Sequence, residues 1–226
     1  LVSRALELAE RAVKAAEGDA ADVSAHVESS GFARFAASAV HQPTLIRDET
    51  VTLRVVRDGR VGCATTNRTD ADGLAAAARH AAEAADSSPV DQGFAGLQEP
   101  APVHEVEGFD EATAALSPEE QAEAAAEAIA AAPDLGLYGY YTSGVTELAV
   151  ASATGLSAAQ TVTDAVCICL AATDDASGWS ERTSWRVGEL DPAEPAREAA
   201  ETADRTRGAG TLEHGTYAAV LEPFAV

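Results

Sequence analysis

Five histidines, three cysteines and a surplus of carboxylates are the side chains of this 226-residue chain that could do chemistry. Their spacing decides what they could do together. His26, His41, His80, His104 and His214 include no i, i+4 pair, the helical separation that lets two imidazoles grip one metal ion. His104-Glu105 opens as a zincin motif does, but the positions where a second imidazole is needed hold Gly108 and Phe109, and the dipeptide lies among helix breakers. Cys167 and Cys169 are one residue apart in a strand-like run, so their thiols share a face. Cys-x-Cys fits neither a zinc knuckle nor a thioredoxin-type motif, and with Cys63 the set is odd, so all three are expected to be reduced core thiols. No Gly-x-Ser-x-Gly elbow and no glycine-rich phosphate loop running from strand to helix occurs. Asp174-Asp175 falls in a turn-like stretch, where carboxylates are solvated and give no acid–base pair. His41-Gln42-Pro43 follows the buried-looking run Phe32 to Ala37 and reads either as a plain turn or as a ligand-facing loop.

The elements that must position these groups follow from the periodicity. Residues 1–17 carry Leu1, Ala5, Leu8, Ala12 and Ala16 at helical spacing, with Glu7 to Arg11 and Glu10 to Lys14 as i, i+4 pairs on the wet side. Period two then takes over at Val23 to Val27, Phe32 to Ala36, Val51 to Val55 and Val61 to Ala64, and Asp58-Gly59 is a two-residue hairpin signal. From Asp70 a helical stripe of Leu74, Ala77, Ala78, Ala81 and Ala85 runs to Ser88-Pro89. Residues 88–116 hold too many Gly and Pro for a helix or central strand and are expected to link or wrap. Ser117-Pro118-Glu119-Glu120 has the form of a capping box with Pro at the first helical position. Strand patterns return at Leu137 to Tyr141, Val145 to Val150, Thr161 to Ala171 and Ser180 to Val187. A helix opened by Asp191-Pro192 follows, then a last strand at Tyr217, Ala219 and Leu221.

This order predicts an α+β fold in which antiparallel sheets pack with Ala-rich helices. The predicted organisation is a first α+β unit over 1–87, a linker over 88–116, a second α+β unit over 117–207, and the start of a further domain over 208–226. Ser30-Gly31 before Phe32 to Ala36 aligns with Ser143-Gly144 before Val145 to Ala149 at an offset of 113, and the same offset sets Leu53 to Val56 on Val166 to Cys169. A duplicated helix–strands–helix unit is one explanation, and the general likeness of antiparallel meanders is the other. Of the residues, 53 are Ala and only 5% are aromatic, so bulky core residues must concentrate in strands against which small-residue helices lie closely. The formal charge of −22 argues against binding a phosphate backbone. No run of about eighteen apolar residues suggests a membrane span, and the chain is expected to be cytoplasmic. A start at Leu1, no Met and a stop at Val226 within a strand-like pattern lead us to expect part of a longer protein.

Arg34 to Gln42, Val51 to Gly62 and Ala64 to Arg68 resemble the N-terminal region of the TldD/PmbA family, the metallopeptidase-related family also called modulator of DNA gyrase. Val150 to Leu156 is similar to a family turn, with Ala151-Ser152 and one extra residue in place of the usual Asn-Ser-x-Gly pattern, and Gly215 to Pro223 resembles a family strand. In TldD-like members a zinc-binding His-Glu-x-x-x-His helix follows that strand, so the resemblance carries no catalytic or metal-binding residue onto this span. Val220 to Val226 is closer to the PmbA (TldE) branch, whose members lack the metal motif and pair with a TldD-like subunit. The resemblance therefore implies the N-terminal part of a peptidase subunit, the non-catalytic PmbA-like partner, supporting zinc-dependent hydrolysis of small or unfolded peptides. Zinc is expected in a C-terminal part or in a TldD-like partner, within a homodimer or heterodimer. Phe35, His41, Gln42, Arg54 and Asn67 are the candidate substrate-lining residues. The alternatives are an acidic interaction module with a gyrase-type partner, or a biosynthetic relative that cleaves an amide.

Overall fold

The computed structural model describes residues 3–104 and 106–221, the side chain of Gln42 excepted. Helix α1 (Arg4–Ala15) begins under the Ser3 hydroxyl, which accepts from the Leu6 N–H. Strands β1 (Ala20–Ala36), β2 (Ala39–Arg57) and β3 (Arg60–Thr66) lead to helix α2 (Ala71–Ser87), which Asp70 caps by accepting from the Gly73 N–H. After a long irregular segment come α3 (Glu111–Ala114) and α4 (Pro118–Ala130). The capping box of α4 forms as the sequence predicts, Ser117 and Glu120 each accepting from the other's backbone N–H. Strands β4 (Gly136–Ser152), β5 (Ser157–Ala172) and β6 (Ser177–Ser184) and helix α5 (Ala193–Thr206) complete the order. Residues 211–221 contain no strand, so the strand predicted at Tyr217 to Leu221 is not formed there, and its continuation over 222–226 lies outside the described residues.

The six strands make one antiparallel sheet in the order β3-β2-β1-β4-β5-β6. The two halves of the chain therefore share a sheet, joined where β1 pairs with β4. Each half contributes fewer and longer strands than predicted: Val23 to Val27 and Phe32 to Ala36 are one strand, as are Leu137 to Tyr141 and Val145 to Val150. Gly31 and Gly144, related by the offset of 113, face Ser143 and Ser30 across the central pair, so an approximate twofold arrangement passes between them. The offset does not extend to the next strands. Val23 pairs with Leu53, whereas Gly136, at the offset position, pairs with Ala172; Leu53 thus corresponds to Ala172, because the β4–β5 hairpin is longer.

Alternation along the strands sends one set of side chains into a helix-covered face. Val23, Val51, Leu53 and Val55 pack under α1 and α2, and Phe35, Tyr141, Cys167 and Cys169 pack under α4 and α5. The helices meet the sheet through alanines, which lets backbones approach closely. A Cβ on Gly62 would stand 2.1 Å from the Ala81 carbonyl oxygen and 2.2 Å from the Ala85 nitrogen, and one on Gly178 would stand 2.1 Å from the Ala199 oxygen and 2.5 Å from the Ala203 nitrogen. The same glycine-against-alanine contact thus seats α2 on β3 and α5 on β6. Gln121 of α4 reaches the centre of the sheet, is 3% exposed, and donates to Ser143 Oγ at 2.8 Å. Gly31 leaves the room it fills. Cys167 and Cys169 are buried as expected, but Cys63 is exposed, because its position in β3 points to the other face.

Candidate functional site

Among the described residues, no helix covers that other face. The even-numbered residues of β1 and β4 lie on it, and across the strands they form rows: Cys63, Arg54, Asp22 and Ser152; then Thr65, Thr52, Ser24 and Val150; then Thr50, His26, Leu148 and Gln160. A hollow of about 440 Å³ lies over the lower rows, floored by Leu148 and Val150 and edged by Ser24, His26, Thr50 and Gln160. It runs on into a second hollow of about 350 Å³, which shares Ser24, Thr52 and Val150 and is walled by Asp22, Arg54 and Cys63. Arg54 clamps Asp22 with two nitrogens, Nε to Oδ1 at 2.9 Å and Nη2 to Oδ2. The Asp22 hydrogen bond holds the Arg54 guanidinium above its ordinary pKa, against the opposing effect of partial burial, so the guanidinium stays charged. The groove therefore has an apolar floor, hydroxyls, amides and the His26 imidazole on its rim, and a fixed, internally compensated charge pair at one end. Such a surface binds by apolar contact and hydrogen bonding.

The Gly- and Pro-rich segment roofs it. From a bridge between Val90 and Arg60 on β3, the chain crosses the open face to the β4–β5 turn, where Thr154 Oγ1 donates to the Gln98 carbonyl at 2.7 Å. Val103 then lines the larger hollow. The segment is fastened again where Gln160 Nε2 donates to the Val106 carbonyl at 3.3 Å and the Thr163 N–H to the Gly108 carbonyl at 2.8 Å. Gln98 also walls the smaller hollow. The described residues between Val90 and Gly108 thus wrap the sheet.

The candidate residues scatter over this framework. Arg54 lies in the groove. Asn67 is exposed just past the end of β3, beside the row of Thr50. His41 lies at the far end of the sheet, exposed, with Nε2 3.0 Å from the Ala36 carbonyl oxygen. Gln42 pairs with Arg34, and its side chain lies outside the described residues. Phe35 is 1% exposed and fills the core beneath α4 and α5, turned away from the open face. His41-Gln42-Pro43 is neither turn nor loop: all three residues are in β2, Pro43 opposite Ala33 next to a register shift at Arg34/Phe35. β3 pairs only with Val51 to Arg57, so this part of β2 is an edge, where a missing N–H is tolerated. Sequence reasoning missed Asp22 and Ser24 and weighed His26 only as a metal ligand and Cys63 only as a core thiol, although the alternation Asp22-Val23-Ser24-Ala25-His26 places the first three on one face. Among the described residues no group of three or more His, Cys, Asp or Glu could hold a metal ion, so the residues present do not fit a zinc site.

Residues 21–85 match the family model described as PmbA/TldA metallopeptidase domain 1. That span is similar to the first domain of the TldD/PmbA family. The matched span holds β1, β2, β3 and α2, and with them Asp22, Ser24, His26, Arg54 and Cys63 of the groove. Leu148, Val150 and the wrapping segment lie beyond it. Solved structures share the fold. TldE from Thermococcus kodakarensis superposes with a TM-score of 0.73 at 16% identity, over 88% of this chain and 46% of that one. A proposed modulator of DNA gyrase from Thermotoga maritima gives 0.71 at 20% identity, over 92% and 50%. One from Bacteroides thetaiotaomicron gives 0.75 at 16% identity, over 94% and 52%. The chain thus spans about half the length of these neighbours. No curated protein matches it. Among the described residues, no helix is long and apolar enough to cross a membrane.

Proposed function

We propose that this chain is the N-terminal, substrate-shaping part of a TldD/PmbA-type peptidase subunit, of the non-catalytic PmbA-like branch, working in the cytoplasm with a TldD-like partner. The observation that carries this reading is the roofed groove on the open face of the sheet, part of which lies in the span matched by the metallopeptidase domain 1 model. Since the described residues contain no ligand set for zinc, the metal and the hydrolytic step are assigned to the partner or to a further part of the subunit. This chain's own contribution is to hold an extended peptide. Its edge strands β3 and β6 offer backbone hydrogen-bonding groups, and the groove offers an apolar floor, a combination that accepts many sequences. Arg54 and Asn67, at the groove end of the sheet, are the candidates retained for lining.

The test is hydrolysis of an unstructured peptide by the full-length subunit with and without a TldD-like partner, each with a chelator control. Cleavage that needs both the partner and the metal is expected. Cleavage by the subunit alone would overturn the non-catalytic assignment, and no cleavage by the pair would overturn the peptidase reading.

A further inference from the structure

We infer that the smaller hollow receives the carboxy-terminal carboxylate of a peptide on the free fork of the Arg54 guanidinium, and that Asp22 is the residue that positions this fork. The inference rests on the peptide-handling role proposed above and names the end of the peptide that this chain recognises.

A guanidinium carries five N–H bonds in one plane, and each of two of its edges presents a parallel pair that matches a carboxylate. Arg54 spends one edge on Asp22, Nε donating to Oδ1 at 2.9 Å and Nη2 to Oδ2. Three N–H bonds are left, two on Nη1 and one on Nη2, and one from each nitrogen together form the second edge. Among the described residues nothing takes them, since every hydrogen bond and ion pair of Arg54 goes to Asp22. Other arginines are used up by the fold: Arg57 donates to the Glu17 carbonyl and to Asp86, and Arg182 to both Glu194 and Glu198. Arg54 is instead held rigidly from one side, its side chain 43% exposed, on the wall of the hollow of about 350 Å³.

The Ser24 and Thr52 hydroxyls, opposite one another in the next row, line the same hollow and can donate to the same group. Donors therefore gather at this end of the groove, which suits a group that only accepts, as a carboxylate does. Asp22 cancels the charge of Arg54 at a distance, so recognition depends on the short, directional contact. Gln98, whose carbonyl is tied to Thr154, walls the hollow there, so a chain lying along the groove meets Arg54 with its end. Val150 and Leu156 give an aliphatic last residue apolar contact.

The experiment uses the 226-residue chain and unstructured hexapeptides that end in leucine and carry an uncharged fluorophore on the amino terminus, with binding read by anisotropy. The free acid is expected to bind at least about tenfold more tightly than the carboxy-terminal amide, as a charge-assisted bidentate contact gives. An amide with glutamate as its fifth residue has the net charge of the free acid and is expected to bind no more tightly than the plain amide. Arg54→Gln is expected to abolish the preference for the acid, and the comparison of peptides on the native chain stands without any variant. Cys63 reports the place: it is exposed on the wall of the hollow while Cys167 and Cys169 are buried, and saturating acid is expected to slow its alkylation by iodoacetamide several-fold. Equal binding of acid and amide, equal binding of the acid and the glutamate-bearing amide, no binding of the acid at about 1 mM, or binding that leaves Cys63 alkylation unchanged would overturn the proposal. No partner or metal is present in this assay, so its outcome is separate from that of the hydrolysis test.

Discussion

Ala37 and Ser38 turn the β1–β2 hairpin with φ of 47° and 58°, a conformation that L residues adopt at a cost of roughly 1 kcal/mol each. The turn is held from outside. The Ser38 N–H donates to the Leu137 carbonyl at 2.9 Å, its hydroxyl donates to the Leu135 carbonyl, and the Leu137 N–H donates back to that hydroxyl. This explains why the hairpin was invisible in the sequence, where neither Gly nor Asn marks it, while Asp58-Gly59, with φ of 48° and 71°, was plain. Ala37→Gly should raise stability by about 0.5 kcal/mol, relief of strain outweighing the added freedom of the unfolded chain, as read in denaturant unfolding. At the same scale, Glu49 accepts from Arg4 Nε at 2.9 Å and Nη2 at 3.1 Å and from Thr69 Oγ1 at 2.5 Å. The Arg4 bonds, opposed by burial, hold its carboxyl below the ordinary 4.5. A lowered carboxylate stabilises the fold above its unfolded pKa and loses that contribution as pH falls through the folded one. The melting-temperature difference between the native chain and Glu49→Gln should therefore be full above about pH 5 and close on acidification below it. Arg54 was reached through the family resemblance alone. Phe35 came from the same resemblance, but the alternation of β1 turns it inward, and only knowing which face the helices cover could have shown this.

Helix seating is the element-scale feature on which the shape of the open face depends. α2 and α5 each rest on a strand through a glycine and two alanines one turn apart, and this pins β3 and β6 at the two edges of the sheet. Gly62→Ala and Gly178→Ala should each destabilise by about 2 kcal/mol or more, since the added methyl meets helix backbone that must shift as a unit. The two losses should be similar in size, a parity that chemical denaturation of both variants checks. Element types were legible because capping boxes, Ala stripes and strand alternation are local signals; the boxed start of α4 formed at the predicted residues. Strand continuity was less so. Ser29-Ser30-Gly31 looked like a break in β1, yet the segment stays extended because β2 and β4 both pair with it and Gly31 opens space for Gln121. Which face stays uncovered was not legible either, because β4 carries apolar residues on both sides, Leu137 and Tyr141 inward, Leu148 and Val150 outward.

On the scale of the whole molecule, the described helices α1, α2, α4 and α5 pack on one side of the sheet and the wrapping segment crosses the other, so the chain presents a face. That face is neither uniformly acidic nor uniformly apolar. It has the Arg54–Asp22 clamp and the roofed groove toward one end and, toward the other, Phe32 stacked on Tyr140 with ring centroids 4.6 Å apart, close to Leu170 and Trp179. The net charge of −22 is carried largely by exposed carboxylates and bears on solubility and encounter more than on what the groove recognises. The most direct test of the proposed function is steady-state hydrolysis of an unstructured peptide by the full-length subunit paired with the proposed TldD-like partner, comparing the native subunit with Leu148→Asp at equal metal content. If the groove holds substrate and the chemistry lies elsewhere, as proposed, kcat/KM falls about tenfold or more, carried by a rise in KM with kcat nearly kept. An unchanged kcat/KM would contradict it.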